Sequence, residues 1–264
     1  MLDKKSKELR KTIIHCLIDA NRGHFGSSMS IIEILRVLYE LSGINYKNYN
    51  KEKRDKIILS KGHGCLGLYS ILYSKKILKK KDLKGFTSFN SKLGGHPEFK
   101  KVPGVEASTG SLGHGFPLAV GMAIGNKLKN YSNKVYCVVG DGEMNEGSNW
   151  EAAMIASKHS LKNLYLIIDY NKIQSYGFTK EVMDLEPLKE KLKSFGFETK
   201  EVDGHDIYKI KKQIKSFKSL KKPKCLICHT VKGKGFKIAE NEPTWHHKNF
   251  FLKEEIKKLK ESLE

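Results

Sequence analysis

Hydrophobic positions in the first half of the chain recur at helical intervals. Leu9, Ile13 and Leu17 fall on one face of a helix, a spacing that predicts an amphipathic helix near the N-terminus. Residues 63–76 and 114–130 show similar spacing. The first 130 residues are therefore expected to be mainly helical.

A second helix is predicted from its start and stop residues. Ser30 is followed three positions later by Glu33, which is the pattern of a capping box at a helix N-terminus. Gly43 then provides a stop. We expect a helix that begins at Ser30 and ends near Gly43.

In the second half, short apolar segments alternate with segments of helical periodicity. The predicted strands are 57–59, 135–139, 164–168 and 224–229, and the predicted helices are 147–160, 185–195 and 206–219. This alternation is typical of a parallel sheet covered on both faces. The predicted fold class is α/β, a doubly wound and mostly parallel sheet with helices on both faces. Ligands bind such sheets outside the carboxyl ends of the strands.

Length and composition fit one globular domain covering residues 1–264. The chain has 264 residues, 39% hydrophobic and 30% charged, and contains neither an internal repeat nor a Pro/Ser-rich linker. Its apolar runs are far shorter than the roughly 20 residues of a membrane-spanning helix, so no membrane partner is expected. The N-terminus lacks an apolar signal core, which predicts a cytoplasmic protein. Five cysteines, an odd number, are expected to be reduced.

The formal net charge is +20, from 49 basic and 29 acidic residues. Such a charge can attract nucleic acid, attract anionic small molecules such as phosphates, or reflect a general surface bias. The lysines are spread along the whole chain, and no nucleic-acid motif is present. We therefore expect no nucleic acid partner, and the other two interpretations remain open.

The loop after the strand at 135–139 carries a candidate metal site. It reads Gly140-Asp141-Gly142, and the next predicted strand is followed by Asn171. An isolated Gly-Asp-Gly is usually an ordinary turn, but the order turn, helix, strand, Asn is more specific. Asp141, Asn171 and the carbonyl of Ile173 would supply oxygen ligands to Mg²⁺, with a diphosphate completing the shell.

Four histidines adjoin glycines in predicted loops, namely His24, His63, His96 and His114. Histidine donates, accepts and transfers protons near neutral pH, and a neighbouring glycine lets a ligand approach the backbone closely. One such histidine is usually a loop residue, but four ahead of a diphosphate motif indicate a binding site. His15, His159, His205 and His229 lack this context and are interpreted as surface or strand-end residues.

The stretch 140–174 resembles the thiamine-diphosphate-binding motif, which begins with Gly-Asp-Gly and ends with Asn. Other segments resemble the transketolase family and occur in that family's order. They are Gly23-His24, 60–64 (Ser-Lys-Gly-His-Gly), 95–98 (Gly-His-Pro-Glu), 108–113 (Ser-Thr-Gly-Ser-Leu-Gly), Glu146-Gly147, 150–152 (Trp-Glu-Ala) and 230–235 (Thr-Val-Lys-Gly-Lys-Gly). The resemblance covers residues 10 to 250.

The resemblance implies roles for individual residues. His24 and His96 would be catalytic and face the sugar hydroxyls and carbonyl. His246 matches the family's late active-site histidine, which is catalytic and contacts the cofactor, although His247 is an adjacent competitor. The residues implied to bind thiamine diphosphate are His63, Gly110, Ser111, Leu112, Gly142, Glu146 and Asn171. Among these, Glu146 resembles the acidic residue that couples two active sites across a dimer.

Two positions depart from the family pattern. Many transketolases have Gln where His114 stands, so the role of His114 stays open. Phe25 replaces the Pro that commonly follows the first Gly-His. Both positions concern specificity more than the cofactor.

The implied activity is transfer of a two-carbon ketol unit from a ketose phosphate to an aldose phosphate, as in the pentose phosphate pathway. Full-length transketolases continue into a domain that binds the aminopyrimidine of the cofactor, whereas this sequence stops after the diphosphate-binding part. It therefore resembles the N-terminal subunit of a split transketolase. The expected partner is a C-terminal, pyrimidine-binding subunit, with two copies of each chain in a heterotetramer. Helices at 29–43 and 114–130 are the expected contact surfaces.

Three other functions fit part of the pattern. A 2-oxo-acid dehydrogenase component or a deoxyxylulose-phosphate-synthase-like enzyme would use the same cofactor, but the segments 95–98 and 230–235 favour transketolase. A non-catalytic, basic nucleic-acid-binding protein is the third.

A separate motif concerns haem. Cys225, Cys228 and His229 match the C-x-x-C-H haem pattern, which we reject because the segment is a predicted buried strand.

Overall fold

The computed structural model describes residues 2–175 and 177–262. Its five strands are all parallel and form one sheet in the order β1-β2-β3-β5-β4. They are β1 Lys56–Leu59, β2 Val135–Gly140, β3 Leu164–Tyr170, β4 Glu198–Asp203 and β5 Lys224–His229. The predicted α/β fold class is confirmed.

Eleven α-helices lie in the described ranges. They are α1 Lys4–Ala20, α2 Gly26–Ser30, α3 Ile32–Leu41, α4 Cys65–Ser74, α5 Lys80–Leu83, α6 Gly115–Leu128, α7 Gly147–Lys158, α8 Thr179–Met183, α9 Leu188–Ser194, α10 Ile207–Lys215 and α11 Lys253–Glu261. None of the helices in the described part of the chain has the length and apolar character needed to cross a membrane.

The helices cover the sheet on both faces and form two apolar cores. Alternate residues of each strand point to opposite faces. Tyr136 and Val138 therefore join the core with α1, α3, α4 and α10. Val135, Cys137 and Val139 join the core with α6, α7 and α9. This arrangement explains why the central strands read as continuous apolar runs.

The same alternation separates the two cysteines of the C-x-x-C-H segment. Cys225 belongs to the core beneath α6 and α7, whereas Cys228 belongs to the opposite core. Both thiols are buried, and burial raises their pKa well above the ordinary value. Side chains on opposite faces of a strand cannot bond one haem, so the rejection of that motif agrees with the geometry.

The predicted capping box at Ser30 is wrong. Helix α3 begins two residues later, with Ile31 at its N-cap and without a side-chain cap. Ser30 Oγ instead donates to Asp169 Oδ2 at 2.7 Å, and Glu33 pairs with Arg10. Long-range partners on β3 and α1 therefore take both side chains that the local pattern assigned to the helix start.

The predicted contact surface at 29–43 is also wrong, because α3 is an internal helix. Nearly all of its side chains are buried, and it packs against α1, α4 and α10. The other predicted contact helix, α6, keeps apolar side chains at the surface: Leu118 is 46% exposed and Leu128 is 78% exposed.

All five strands direct their carboxyl ends toward one edge of the sheet, and the site is built from the segments after four of them. The segments that follow them begin at Ser60 after β1, Asp141 after β2, Asn171 after β3 and Thr230 after β5. This edge is where a doubly wound sheet binds ligands, and it gathers most of the residues singled out by the sequence.

Candidate active site

A cavity of about 480 Å³ opens at the carboxyl edge of the sheet. Its wall includes residues of all four post-strand loops and of the segments that precede α2 and α11. The predicted site residues in this wall are His24, His63, His96, Gly110, Leu112, Asp141, Gly142, Glu146, Asn171, Ile173 and His246. Ser111 and His114 are exposed and lie outside it.

Histidines form one side of the cavity. The ring centroid of His24 lies 5.5 Å from that of His63, 5.8 Å from His96 and 5.4 Å from His246. Burial, together with neighbouring histidines and lysines, lowers the pKa of His24 to about 3 and that of His246 to about 3. Burial also lowers the pKa of His63 and His96. All four rings are therefore neutral at pH 7, and each offers one donor and one acceptor.

His247 is close to His24, with ring centroids 4.5 Å apart, but it does not line the cavity. His246 does line it, and its Nδ1 lies 2.7 Å from the Nζ of Lys232. Between the two adjacent histidines, the geometry favours His246.

Two buried lysines supply the positive charge of the site, and sequence reasoning missed both. Lys61 is 1% exposed and forms an ion pair with Asp169, which is fully buried. Burial alone would raise the pKa of Asp169, but Lys61 holds it below its ordinary value. Asp169 also accepts hydrogen bonds from Ser30, Asn171 and Thr230. Lys61 is thus fixed on the floor of the cavity.

Lys232 reaches the cavity from the loop after β5. Its Nζ donates to the carbonyl of Ile173 at 2.7 Å as well as contacting His246. Burial and the nearby charge of Lys61 lower the pKa of Lys232 to about 7. An anion bound beside Lys61 and Lys232, which both line the cavity, would raise the pKa of Lys232 and keep it charged, so the cavity favours an anionic ligand.

Asp141, Asn171 and Ile173 converge as the sequence predicted. Asp141 is 2% exposed, and its carboxylate accepts from the backbone N–H groups of Gly142 and Lys172. Burial and the charge of Asp169 raise the pKa of Asp141 to about 6, so a cation beside it would stabilise its ionised form. In the described residues no three Asp, Glu, His or Cys side chains form a metal cluster. A hard cation here would therefore depend on Asp141, the Asn171 amide oxygen, the Ile173 carbonyl and ligand oxygens, a set that suits Mg²⁺.

Two buried polar atoms in the cavity wall have no hydrogen-bond partner among the described residues. They are Ser27 Oγ and Gln174 Nε2. Buried polar groups are almost always hydrogen-bonded, so both fit a ligand with several acceptor oxygens. A diphosphate provides such oxygens. Neither residue was singled out by the sequence, because both act through their position in the folded chain.

Two glycines allow the close contacts of this wall. Gly110 has φ +145°, and a Cβ there would lie 2.8 Å from the His96 ring. A Cβ on Gly142 would lie 2.8 Å from the side chain of Gln174. At both positions a side chain would displace a residue of the cavity.

Two glutamates follow β2. Glu146 is the N-cap residue of α7 and lies at the cavity wall. Glu143, which the sequence did not single out, is buried and accepts from Ser60 and from the Gly113 N–H at 3.0 Å. Burial raises the pKa of Glu143. Glu143 thereby connects the loops after β1 and β2 with the segment before α6, and these segments carry predicted cofactor residues.

These features define a class of protein: a parallel α/β protein with a polar, histidine- and lysine-lined cavity where its strands end. Residues 3–264 match the family model described as "Transketolase, thiamine diphosphate binding domain". The chain belongs to the transketolase family.

Similar proteins and structures agree with this assignment. The A subunit of the apulose-4-phosphate transketolase of Actinobacillus succinogenes is 42% identical over 251 residues, covering 94% of this chain and 90% of that protein. The 6-deoxy-6-sulfo-D-fructose transketolase subunit SqwG of a Clostridium species is 36% identical, covering 97% and 93%. The crystal structure of transketolase from Campylobacter jejuni matches with a TM-score of 0.90 at 34% identity. That match covers 100% of this chain but only 43% of the Campylobacter chain.

Proposed function

We propose that this chain is the subunit of a two-chain transketolase that binds thiamine diphosphate and Mg²⁺. With its partner it transfers a two-carbon ketol unit from a ketose phosphate to an aldose phosphate. The observation that supports this most directly is the cavity itself. It places a candidate cation site, two buried lysines and four neutral histidines within one volume of about 480 Å³.

Different residues of the cavity would hold the cation and the diphosphate of the cofactor. Asp141, Asn171 and the Ile173 carbonyl would hold the cation. Ser27, Gln174 and the ammonium of Lys232 would bind the diphosphate oxygens, with His63 beside them. When bound, thiamine diphosphate supplies the carbon nucleophile that accepts and releases the two-carbon unit.

The neutral histidines suit a sugar more than an anion. A neutral imidazole can donate to one oxygen and accept from another. His24, His96 and His246 would orient the hydroxyl and carbonyl groups of the ketose and move protons at those oxygens. The low pKa values of His24 and His246 keep both rings unprotonated, so each can accept a hydrogen bond from a sugar hydroxyl.

The names of similar proteins support a partner and a phosphorylated or sulfonated sugar. Two curated relatives are named as A subunits of apulose-4-phosphate transketolases, and a third as one subunit of a sulfofructose transketolase. The chain spans about two fifths of the length of solved transketolases, since it covers 43% of the Campylobacter chain. A pyrimidine-binding partner subunit, two copies of each chain and a sugar of the pentose phosphate pathway are the corresponding proposals.

The first test is a tagged pull-down from the native lysate with thiamine diphosphate and Mg²⁺ present. The eluate is assayed for transfer from xylulose 5-phosphate to ribose 5-phosphate. A co-eluting second chain with transfer activity is the expected result. A partner whose eluate turns over a 2-oxo acid but no ketose phosphate would contradict the transketolase reaction while retaining the cofactor.

A second test examines the metal site in the assembled enzyme. Asp141→Ala removes the only carboxylate proposed to contact the cation, so Mg²⁺-dependent binding of thiamine diphosphate should fall by at least about 100-fold. Isothermal titration calorimetry with and without Mg²⁺ measures this change. Asp19→Ala, on the exposed face of α1, is the matched control. Unchanged cofactor affinity in a folded Asp141→Ala protein would remove the metal assignment.

A further inference from the structure

The loop that carries Lys232 is held by its backbone on both sides of that residue. One position before Lys232, the N–H of Val231 donates to Nε2 of His205 at 2.8 Å. Two positions after it, the carbonyl of Lys234 accepts from Nε of Arg10 at 2.8 Å. We call residues 230–235 the lysine loop. Its two anchors come from the β4–α10 turn and from α1.

Arg10 and His205, the two residues that hold the lysine loop, both contact one buried carboxylate. Arg10 donates to both oxygens of Glu33, at 2.6 and 2.9 Å, and Nδ1 of His205 lies 3.0 Å from Glu33 Oε2. Arg10 is 0% exposed and Glu33 is 1% exposed. Burial alone would raise the pKa of Glu33, but hydrogen bonds from Arg10 and His205 hold it below its ordinary value. Glu33 is therefore an anion that orients both partners.

The chemistry of this arrangement fixes the state of His205. The ionised Glu33 can only accept a hydrogen bond, so the neighbouring Nδ1 of His205 must carry the ring proton and donate it. Nε2 is then an acceptor, as the N–H of Val231 requires. Loss of either bond would leave a polar group of a partly buried loop without its partner.

We propose that Arg10, Glu33 and His205 form a positioning network that fixes the lysine loop and so places Lys232 in the active-site cavity. This inference rests on the proposed function, because it assigns Lys232 to the bound diphosphate. A lysine has a long, flexible side chain, so the site of its ammonium depends on the placement of its backbone. Gly233 and Gly235, with φ +79° and +100°, give the loop a backbone path that other residues rarely adopt, so the anchors act on a defined turn.

The network makes a prediction for the unmodified chain that does not involve any ligand. In a ¹⁵N-labelled sample, an N–H···N bond transmits a scalar coupling between the two nitrogens. We expect such a coupling between Val231 N and His205 Nε2, and an imidazole spectrum with the proton on Nδ1. A His205 protonated on Nε2 at pH 7, without the coupling, would overturn the proposal even if no variant folded.

Three variants of the full chain then distinguish a loss of lysine-loop positioning from a general loss of stability. His205→Asn keeps a donor toward Glu33 but removes the acceptor, whereas the longer His205→Gln can present an oxygen to Val231. Amide exchange at Val231 should accelerate about five- to ten-fold in His205→Asn, as expected from the loss of one hydrogen bond, and recover in His205→Gln. His159→Asn, which alters an exposed histidine at the end of α7, is the control.

A double-mutant cycle connects the network to Lys232. His205→Asn should weaken binding of Mg²⁺–thiamine diphosphate in the assembled enzyme about five- to ten-fold. Because the network acts through Lys232, His205→Asn should add no further loss in a Lys232→Met background. Additive losses would mean that His205 acts by another route and would overturn the proposal. If no form binds the cofactor, the proposed function fails, while the nitrogen coupling and Val231 exchange still decide the positioning.

Discussion

The low pKa values of the clustered histidines link the chemistry of the site to the stability of the fold. His24 and His246 titrate near pH 3 in the folded chain, against an ordinary value of 6.5. Between those limits the unfolded chain binds more protons than the folded one. The free energy of unfolding therefore rises with pH from about 3 to 6.5.

The difference in proton binding between the folded and unfolded chains predicts that stability depends on pH. Replacing one histidine should reduce that dependence. Near pH 5.5 each histidine contributes at most about 1.4 kcal/mol per pH unit to the slope of unfolding free energy. His24→Gln should lower that slope, and His159→Asn should leave it unchanged. Urea denaturation of the three proteins at pH 5, 6 and 7 measures the effect. An equal slope in all three would mean that the fold does not lower the pKa of His24.

The sequence identified the residues of the site that belong to short glycine-containing motifs, including His24, His63 and Asp141. It missed Lys61 and Lys232, although both lie within quoted motifs, because lysine is abundant throughout a chain with 49 basic residues. Only the fold shows that these two are buried beside carboxylates or carbonyl groups. The sequence also gives no sign that His205 belongs to a buried network, because its partner Glu33 lies 172 positions away. The sequence therefore predicts only a surface or strand-end residue there.

At the scale of elements, the apolar strands, including the edge strand β1, were predictable and the polar edge strand β4 was not. Strand β4 reads Glu-Thr-Lys-Glu-Val-Asp, and of its six side chains only Thr199 and Val202 are buried. It pairs on one side only, with β5, so it need not resemble the buried central strands. The short polar helix α11, close to the end of the chain, was missed as well.

Helix α6 offers a matched pair of glycines with opposite predicted effects. A Cβ at Gly115 would lie 2.4 Å from Ser60 Oγ and 2.7 Å from Ser60 Cα, whereas at Gly121 it meets nothing within 4 Å. Gly115→Ala should destabilise the chain by about 2 kcal/mol through overpacking. Gly121→Ala should stabilise it by up to about 1 kcal/mol through helix propensity.

Chemical denaturation of both variants beside the parent chain measures this contrast. Equal effects would show that the start of α6 is not packed against the end of β1. Because Ser60 adjoins Lys61 in the cavity floor, only Gly115→Ala is expected to weaken cofactor binding as well.

At the scale of the whole molecule, two neighbouring helices, α6 and α7, retain apolar side chains at the surface. Leu118 on α6 and Met154 and Ile155 on α7 are 46%, 56% and 45% exposed. These two helices pack against each other, so their exposed residues lie on neighbouring elements. Apolar residues exposed on adjacent helices are typical of interaction surfaces, and we expect the partner subunit of the proposed assembly to cover them.

Leu118→Glu combined with Ile155→Glu should therefore reduce recovery of the partner in the pull-down by at least about ten-fold, because each introduced charge would be buried without a counter-charge. Tyr208→Glu is the matched control, since Tyr208 is 87% exposed on α10. Thermal unfolding of each isolated chain shows whether the fold is intact. Equal recovery from the double variant and the control would place the interface elsewhere.

The five cysteines provide a built-in reporter of conformational opening. Every one is a free, buried thiol, and together they are distributed over α1, α4, β2 and both faces of β5. Because all five side chains are buried, alkylation by a thiol-specific reagent should be slow until the protein opens. Mass spectrometry of each modified peptide would thus time the opening of the N-terminal helices separately from that of the sheet, without an engineered label.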